Sequence, residues 1–267
     1  MSCGLALTKN KIENRSTPSI IHFSCKGGLA LIHFNFKYVQ GLVVFLILLF
    51  EFRDAYFKGF KTYLKSFSLR PYTVLIGLML VVTGLVMTID STLLHLIQAQ
   101  NASFVRWMVA CGSFLGKHSW LILIGLYLIT FLSRVKSWRK VIFSALFANF
   151  LTGVFSVFFK FTVLRARPYS GFGPFSFFNL NGLLKDRGIF QSFPSGDVAV
   201  VVGAAAYFFY TVRNRYAKLI FLLLPIMTAL ARVSLNRHWP SDTLFSIGLG
   251  LIAAQFVWNY RRYFEVR

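Results

Sequence analysis

Three short segments of the chain combine the residue types that bind and cleave phosphate groups. The segments are KFTVLRARP from residue 160, SFPSGD from residue 192 and ARVSLNRHWPSD from residue 231. Each adjoins a long apolar stretch, where a charged side chain is costly unless it has a partner or a function. The residues of interest are Lys160, Arg167, Ser195, Gly196, Asp197, Arg232, His238 and Asp242.

The three cations of these segments can together hold one phosphate group. Arg167 and Arg232 carry guanidinium groups that bind phosphate oxygens in pairs, and Lys160 carries a point charge. Ser195 and the backbone N–H groups around Gly196 directly precede an apolar run, and donors at the start of a helix suit an anion. These five residues are therefore predicted to bind phosphate.

His238 is the candidate nucleophile. Asp242 follows it by four residues, a spacing that on one helical turn lets the carboxylate fix the imidazole tautomer and stabilise its charge. Each residue alone also has an ordinary interpretation, since Lys160 can extend from a span end to water and Asp242 can cap a helix. Catalysis is indicated because all of them are expected on one face of the molecule.

The composition predicts that the elements holding these residues cross a membrane. Hydrophobic residues make up 56% of the 267 residues, charged residues make up 14%, and Phe alone accounts for 31. This balance excludes an ordinary soluble domain. We predict one all-α, polytopic membrane domain, a six-transmembrane-helix bundle. Its predicted spans are residues 72–89, 119–133, 141–159, 198–212, 219–235 and 243–258.

The distribution of basic residues predicts the orientation of the bundle. The net charge of +21 comes largely from clusters between apolar stretches, which indicates membrane orientation and contact with anionic lipid rather than with nucleic acid. The clusters precede the first span and recur at 134–140, 213–218 and 261–262, so these places are predicted to be cytoplasmic. The opposite face should then carry residues 90–118, 160–197 and 236–242.

Two regions outside the spans complete the predicted organisation. Residues 1–70 form a basic N-terminal region with a short apolar, membrane-associated segment at 39–52, for which a seventh span stays open. Residues 71–262 form the six-span domain. Between the first two spans, apolar residues at helical spacing from Asp90 to Trp120 predict a pair of short interfacial helices, with an irregular loop as the alternative.

The order K-x6-RP, PSG and R-x5-H-x3-D resembles the type 2 phosphatidic acid phosphatase superfamily over about residues 72–260. The resemblance implies that His238 attacks phosphorus to form a phosphohistidine, that Asp242 orients it, and that water then releases phosphate. It also implies that no metal or other cofactor is required. The implied phosphate-binding residues are Lys160, Arg167, Ser195, Gly196 and Arg232.

Asp197 departs from the family pattern, in which a histidine follows PSG and protonates the leaving-group oxygen. A carboxyl group can donate that proton only when it is protonated, which burial favours and adjacent cations oppose. Three outcomes stay open for Asp197: a carboxylic general acid, an enzyme for lipids with a good leaving group, or a member that has lost activity.

The predicted function is hydrolysis of a lipid phosphate or pyrophosphate at the periplasmic or outer face of the cell inner membrane. The loop YSGFGPFSFF resembles bacterial lipid phosphatases, so lipid A 1-phosphate and undecaprenyl pyrophosphate are the leading substrates; phosphatidylglycerophosphate and phosphatidic acid stay open. The alternatives are a catalytically impaired member that binds a lipid phosphate, and a phosphotransferase that passes the phosphoryl group from His238 to a second lipid.

Overall fold

The computed structural model describes residues 4–6, 22–24, 43–44, 46–47, 57–100, 102–178 and 188–261. Contacts within the chain divide it into two units, Met1–Ile47 and Leu48–Arg267. The membrane-associated segment predicted at 39–52 lies largely outside the described residues.

The first unit contains a short pair of strands. Strand β1 (Gly4–Ala6) and strand β2 (His22–Ser24) run antiparallel, with Leu5 opposite Phe23. Apart from this pair, the regular structure described below is helical.

The second unit is a bundle of α-helices in which one helix is central. The helices are α1 (Phe57–Ser66), α2 (Arg70–Met87), α3 (Asp90–Gln98), α4 (Ser103–Leu132), α5 (Lys136–Val163), α6 (Gly196–Thr211), α7 (Arg215–Ser234) and α8 (Pro240–Tyr260). Helix α6 packs against α5, α7 and α8. Its small residues permit this, because a side chain at Gly203 would overlap the backbone of Ala148 on α5.

Five of these helices are long and apolar enough to cross a membrane: α2, α4, α5, α7 and α8. The remaining predicted span corresponds to α6, which has 16 residues. At 1.5 Å per residue α6 is about 24 Å long, shorter than the roughly 30 Å of a bilayer's hydrocarbon core. The all-α, polytopic membrane fold is confirmed, and five of its six predicted spans have the length of a full span.

The segment between the first two spans differs from the prediction. Helix α3 is a short helix as expected, but the second predicted interfacial helix is the beginning of α4, which continues unbroken from Ser103 to Leu132. The sequence between those two residues has no proline to interrupt it. Its glycines include Gly112, where a side chain would overlap the carbonyl group of Met227 on α7. This glycine therefore permits close packing and does not end the helix.

Candidate active site

Backbone pairing joins the first two sequence segments. The N–H of Ser192 donates to the carbonyl of Arg165 at 3.0 Å, and the N–H of Arg167 donates to the carbonyl of Ile189 at 2.9 Å. The loop after α5 and the loop before α6 therefore lie side by side, which places the residues of both at one end of the bundle.

Helix ends bring two of the predicted cations to the same place. Lys160 extends from the last turn of α5 toward the start of α6, where a Cβ atom on Gly196 would lie 3.3 Å from the Lys160 Nζ. Arg232, in the last turn of α7, forms an ion pair of 3.0 Å with Asp197, in the first turn of α6. Both cations thus meet the PSG turn.

Three buried donors around this turn have no hydrogen-bond partner among the described residues. They are the Ser195 hydroxyl, the Arg167 Nε and the Arg232 Nε. Ser195 occupies the N-cap position of α6, yet no capping bond from its side chain is found in the described part of the chain. Buried donors without partners cost free energy. Where cations also gather, such donors suit an anion with several oxygens.

His238 is buried in the connection between α7 and α8, with its Nδ1 2.6 Å from the backbone carbonyl oxygen of Ser192. Because a carbonyl only accepts hydrogen bonds, Nδ1 carries the proton, and the neutral ring has its lone pair on Nε2. Burial lowers the pKa of His238 well below its ordinary value of 6.5, and nearby cations lower it further. These cations are Arg167, Lys160 and Arg232. The imidazole is therefore neutral at neutral pH, as a nucleophile requires.

The Asp242 carboxylate is fully buried at the start of α8. It accepts hydrogen bonds from the Ser192 hydroxyl at 2.5 Å, the Trp239 backbone N–H at 2.9 Å and the Arg165 guanidinium at 2.5 Å. Its nearer oxygen is 3.9 Å from the His238 Nδ1. Ser192 therefore bridges the two residues, because its hydroxyl donates to Asp242 and its carbonyl accepts from the imidazole. The orienting role of Asp242 stays a prediction.

Arg165 and Asp90 are buried partners that the sequence reasoning missed. The Arg165 Nη2 donates to Asp90 at 2.7 Å, and its Nε donates to the carbonyl of Pro174 at 2.8 Å. Asp90, at the start of α3, also accepts the backbone N–H of Ser241 at 2.9 Å. One signal was available: the chain has only eight acidic residues, and a carboxylate at the end of a predicted span calls for a partner.

Helix α4 forms the wall behind Arg232 and Asp197. The Arg232 Nη2 donates to the backbone carbonyl of Ser113 at 3.2 Å. A Cβ atom on Gly116 would lie 2.9 Å from the same Nη2 and 3.0 Å from the Asp197 Cβ. This contribution was not predicted, because α4 was expected to begin its span only at residue 119.

Known proteins resemble part of the chain. Residues 138–265 match the PAP2 superfamily. A lipid A 1-phosphatase of Rhizobium etli is 34% identical over 129 residues, covering 48% of this chain and 46% of the relative. A lipid A 1-phosphatase of Rhizobium johnstonii is 34% identical over 112 residues, covering 41% and 40%. The chain thus spans less than half the length of these relatives.

Among solved structures, the chain shows similarity to the crystal structure of Aquifex aeolicus LpxE. It shares 20% identity with a TM-score of 0.49, covering 63% of this chain and 93% of that one. The match over residues 138–265 includes all three segments whose side chains meet at the site. Over these residues, the chain is similar to the PAP2 superfamily.

Proposed function

We propose that the protein is a membrane lipid phosphatase that hydrolyses a phosphate or pyrophosphate ester through a phosphohistidine on His238. One observation carries this proposal: a buried, neutral imidazole lies beside three buried donors that have no partner within the described residues. The donors belong to Ser195, Arg167 and Arg232. The names of the two Rhizobium relatives support the same reaction class.

The reaction begins when the His238 Nε2 attacks phosphorus. A P–N bond forms while the bond from phosphorus to the leaving oxygen breaks. The leaving oxygen keeps the bonding electrons and either takes a proton from water to give an alcohol or departs as a phosphate anion. Lys160, Arg167 and Arg232 stabilise the negative charge on the remaining phosphate oxygens. Electrostatic stabilisation of these oxygens is the main way in which proteins lower the barrier to phosphoryl transfer. Water then attacks phosphorus, releases inorganic phosphate and restores the neutral imidazole.

Buried hydrogen bonds keep His238 in the reactive tautomer. The Ser192 carbonyl accepts a hydrogen bond from the His238 Nδ1–H. The hydroxyl of the same serine donates a hydrogen bond to Asp242. Arg165 binds Asp242 on its other side and is itself neutralised by Asp90. When Nε2 acquires the phosphoryl group and the ring becomes cationic, the Asp242 charge 3.9 Å away stabilises it.

The ion pair between Asp197 and Arg232 bears on the leaving group. The Asp197 carboxylate is held by the Arg232 guanidinium at 3.0 Å, so it is poorly placed to donate a proton to a leaving group. The pair therefore supports substrates whose leaving group departs without that proton, such as a pyrophosphate or an anomeric phosphate. The same pair is also the one specific feature that favours the alternative, a catalytically impaired member that binds a lipid phosphate.

We propose lipid A 1-phosphate or undecaprenyl pyrophosphate as the substrate, reached from the periplasmic or outer face of the inner membrane. Residues 71–262 would form the catalytic domain and residues 1–70 a membrane-associated region. The basic clusters of the sequence support this orientation. Reporter fusions after residues 136 and 215 should report cytoplasm, whereas a fusion near residue 180 should report the outer compartment.

Phosphate release by detergent-purified protein tests the function, using a panel of lipid phosphates and pyrophosphates at several pH values. His238→Ala should abolish release without a large loss of folded protein, and acid-labile, base-stable phosphoprotein should be trapped only when His238 is present. Full activity of His238→Ala would refute the mechanism. A wild-type protein that is inactive on the whole panel but activated by Asp197→His would favour the impaired, lipid-binding alternative.

A further inference from the structure

A cavity of about 280 Å³ lies between α3 and the loop that follows α5. Three polar residues of α3, Ser91, His95 and Gln98, contribute to its lining. Their spacing of four and three residues puts them on one face of the helix. The same helix is held in place by Leu94, which packs in a cluster with Trp239. The polar face is therefore presented to the cavity by a helix with a fixed position.

The opposite wall of the cavity adjoins the phosphate site along the chain. Pro168 follows Arg167, and Asn236 and Trp239 stand on either side of His238. The Oδ1 of Asn236 is buried and has no hydrogen-bond partner within the described part of the chain. The cavity is therefore lined by residues next to Arg167 and His238 in the chain. A ligand group in it meets an amide oxygen that needs a hydrogen-bond donor.

The chemistry of the lining indicates the class of ligand. Among the described residues that line the cavity there is no Lys, Arg, Asp or Glu, so it offers no permanently charged counterion for a second phosphate. It offers hydrogen-bonding groups together with an indole and two proline rings, a combination that suits a ring with hydroxyl groups. Its volume is just below the roughly 300–1,000 Å³ of most ligand sites, which suits a single ring.

We propose that this cavity binds the sugar ring of a glycolipid while the phosphate on that ring lies at His238. The inference rests on the proposed function for the position of the phosphate, and it narrows the substrate to a glycosyl phosphate. A polyprenyl pyrophosphate, whose second phosphate would enter a lining without cations, is then disfavoured.

Binding can be tested without catalysis. In a detergent that contains no sugar, an alkyl glucoside should raise the melting temperature of the protein, whereas an alkyl ether of equal chain length without the sugar should not. Gln98→Ala should weaken the glucoside affinity by about fivefold, the effect of one hydrogen bond. Gln100→Ala is the matched control, because Gln100 is exposed two residues later and does not line the cavity.

A kinetic comparison completes the test. The ratio of kcat/KM for an acylated glucosamine 1-phosphate to that for phosphatidic acid should fall about fivefold in Gln98→Ala, and by a similar factor in Asn236→Ala, but stay constant in Gln100→Ala. Equal losses on both lipids, or a wild-type protein that no glucoside stabilises, would overturn the proposal. Glucoside binding that depends on Gln98, without hydrolysis of any lipid phosphate, would uphold the sugar site and reject the phosphatase function.

Discussion

Arg165 and Arg167 stand two residues apart in the same loop, but their surroundings differ. Every nitrogen of the Arg165 guanidinium donates to a protein oxygen, and the side chain is fully buried. The Arg167 Nε is also buried, but it has no partner in the described ranges. An arginine whose donors are all used by the protein holds the structure together, whereas one with donors to spare is able to bind a ligand.

Arg165→Met should have the largest effect of the substitutions at these two arginines. The change leaves Asp90 and Asp242 buried without their counterion, which should cost about 3–5 kcal/mol in stability. We expect little folded protein, or a much lower melting temperature in detergent, and a partial recovery in Arg165→Lys. A fully stable Arg165→Met protein would show that the buried ion pairs are not structural.

The same substitution at Arg167 should separate activity from stability. Arg167→Met should lower kcat/KM by about 10²–10³-fold, the effect of losing one donor to the transition state, while the melting temperature changes little. Arg237→Met is the control: both guanidinium groups lie within 6 Å of the Tyr169 ring, at 5.9 and 5.7 Å, but Arg237 has no assigned role in phosphate binding. Equal losses in the two variants would mean that only the local charge matters.

Asp197 should have a smaller effect, because its side chain is 38% exposed. If its ionised carboxylate competes with substrate for Arg232, Asp197→Asn should lower KM by about twofold to fivefold, as expected for a partly exposed ion pair, with kcat nearly unchanged. If Asp197 is instead a general acid, kcat should fall by about 10²–10⁴-fold on alkyl phosphate monoesters. Steady-state kinetics on phosphatidic acid decide between the two.

The pH profile gives the smallest predicted change. Because the folded pKa of His238 lies well below 6.5, the imidazole stays neutral as the pH falls through that value, and kcat/KM should decline only in more acid solution. Arg167→Met removes one of the cations that lower this pKa, so its acid decline should move to higher pH. An unchanged decline would place Arg167 away from the nucleophile.

Local spacing predicted which residues belong to the site, but it did not predict all of their contacts. A four-residue separation brings His238 and Asp242 together only if both are on one helix, and α8 begins at Pro240. Asp242 is therefore the third residue of the helix, where its carboxylate turns back to cap the N–H of Trp239. Instead, the imidazole Nδ1–H donates its hydrogen bond to the Ser192 carbonyl, 46 residues away in sequence.

Long-range pairing explains what could not be predicted. The contacts of Arg165 with Asp90 and Asp242 join residues separated by 75 and 77 positions. Periodicity and local spacing do not predict contacts over such separations in sequence. By contrast, the cations at span ends were identifiable because a charge at those places needs a partner or a function. The apolar stretches predicted the helices, because a helix that crosses a membrane needs apolar residues over a minimum length.

The position of Asp90 also limits how this fold can be divided. The family match begins at residue 138, yet the carboxylate that neutralises Arg165 and holds the start of α8 comes from α3. A chimera that exchanges only the matched region between relatives would keep every motif and lose this counterion, unless the recipient supplies a carboxylate at the same place. Helix α3 therefore has to be inherited, or transplanted, together with the motifs.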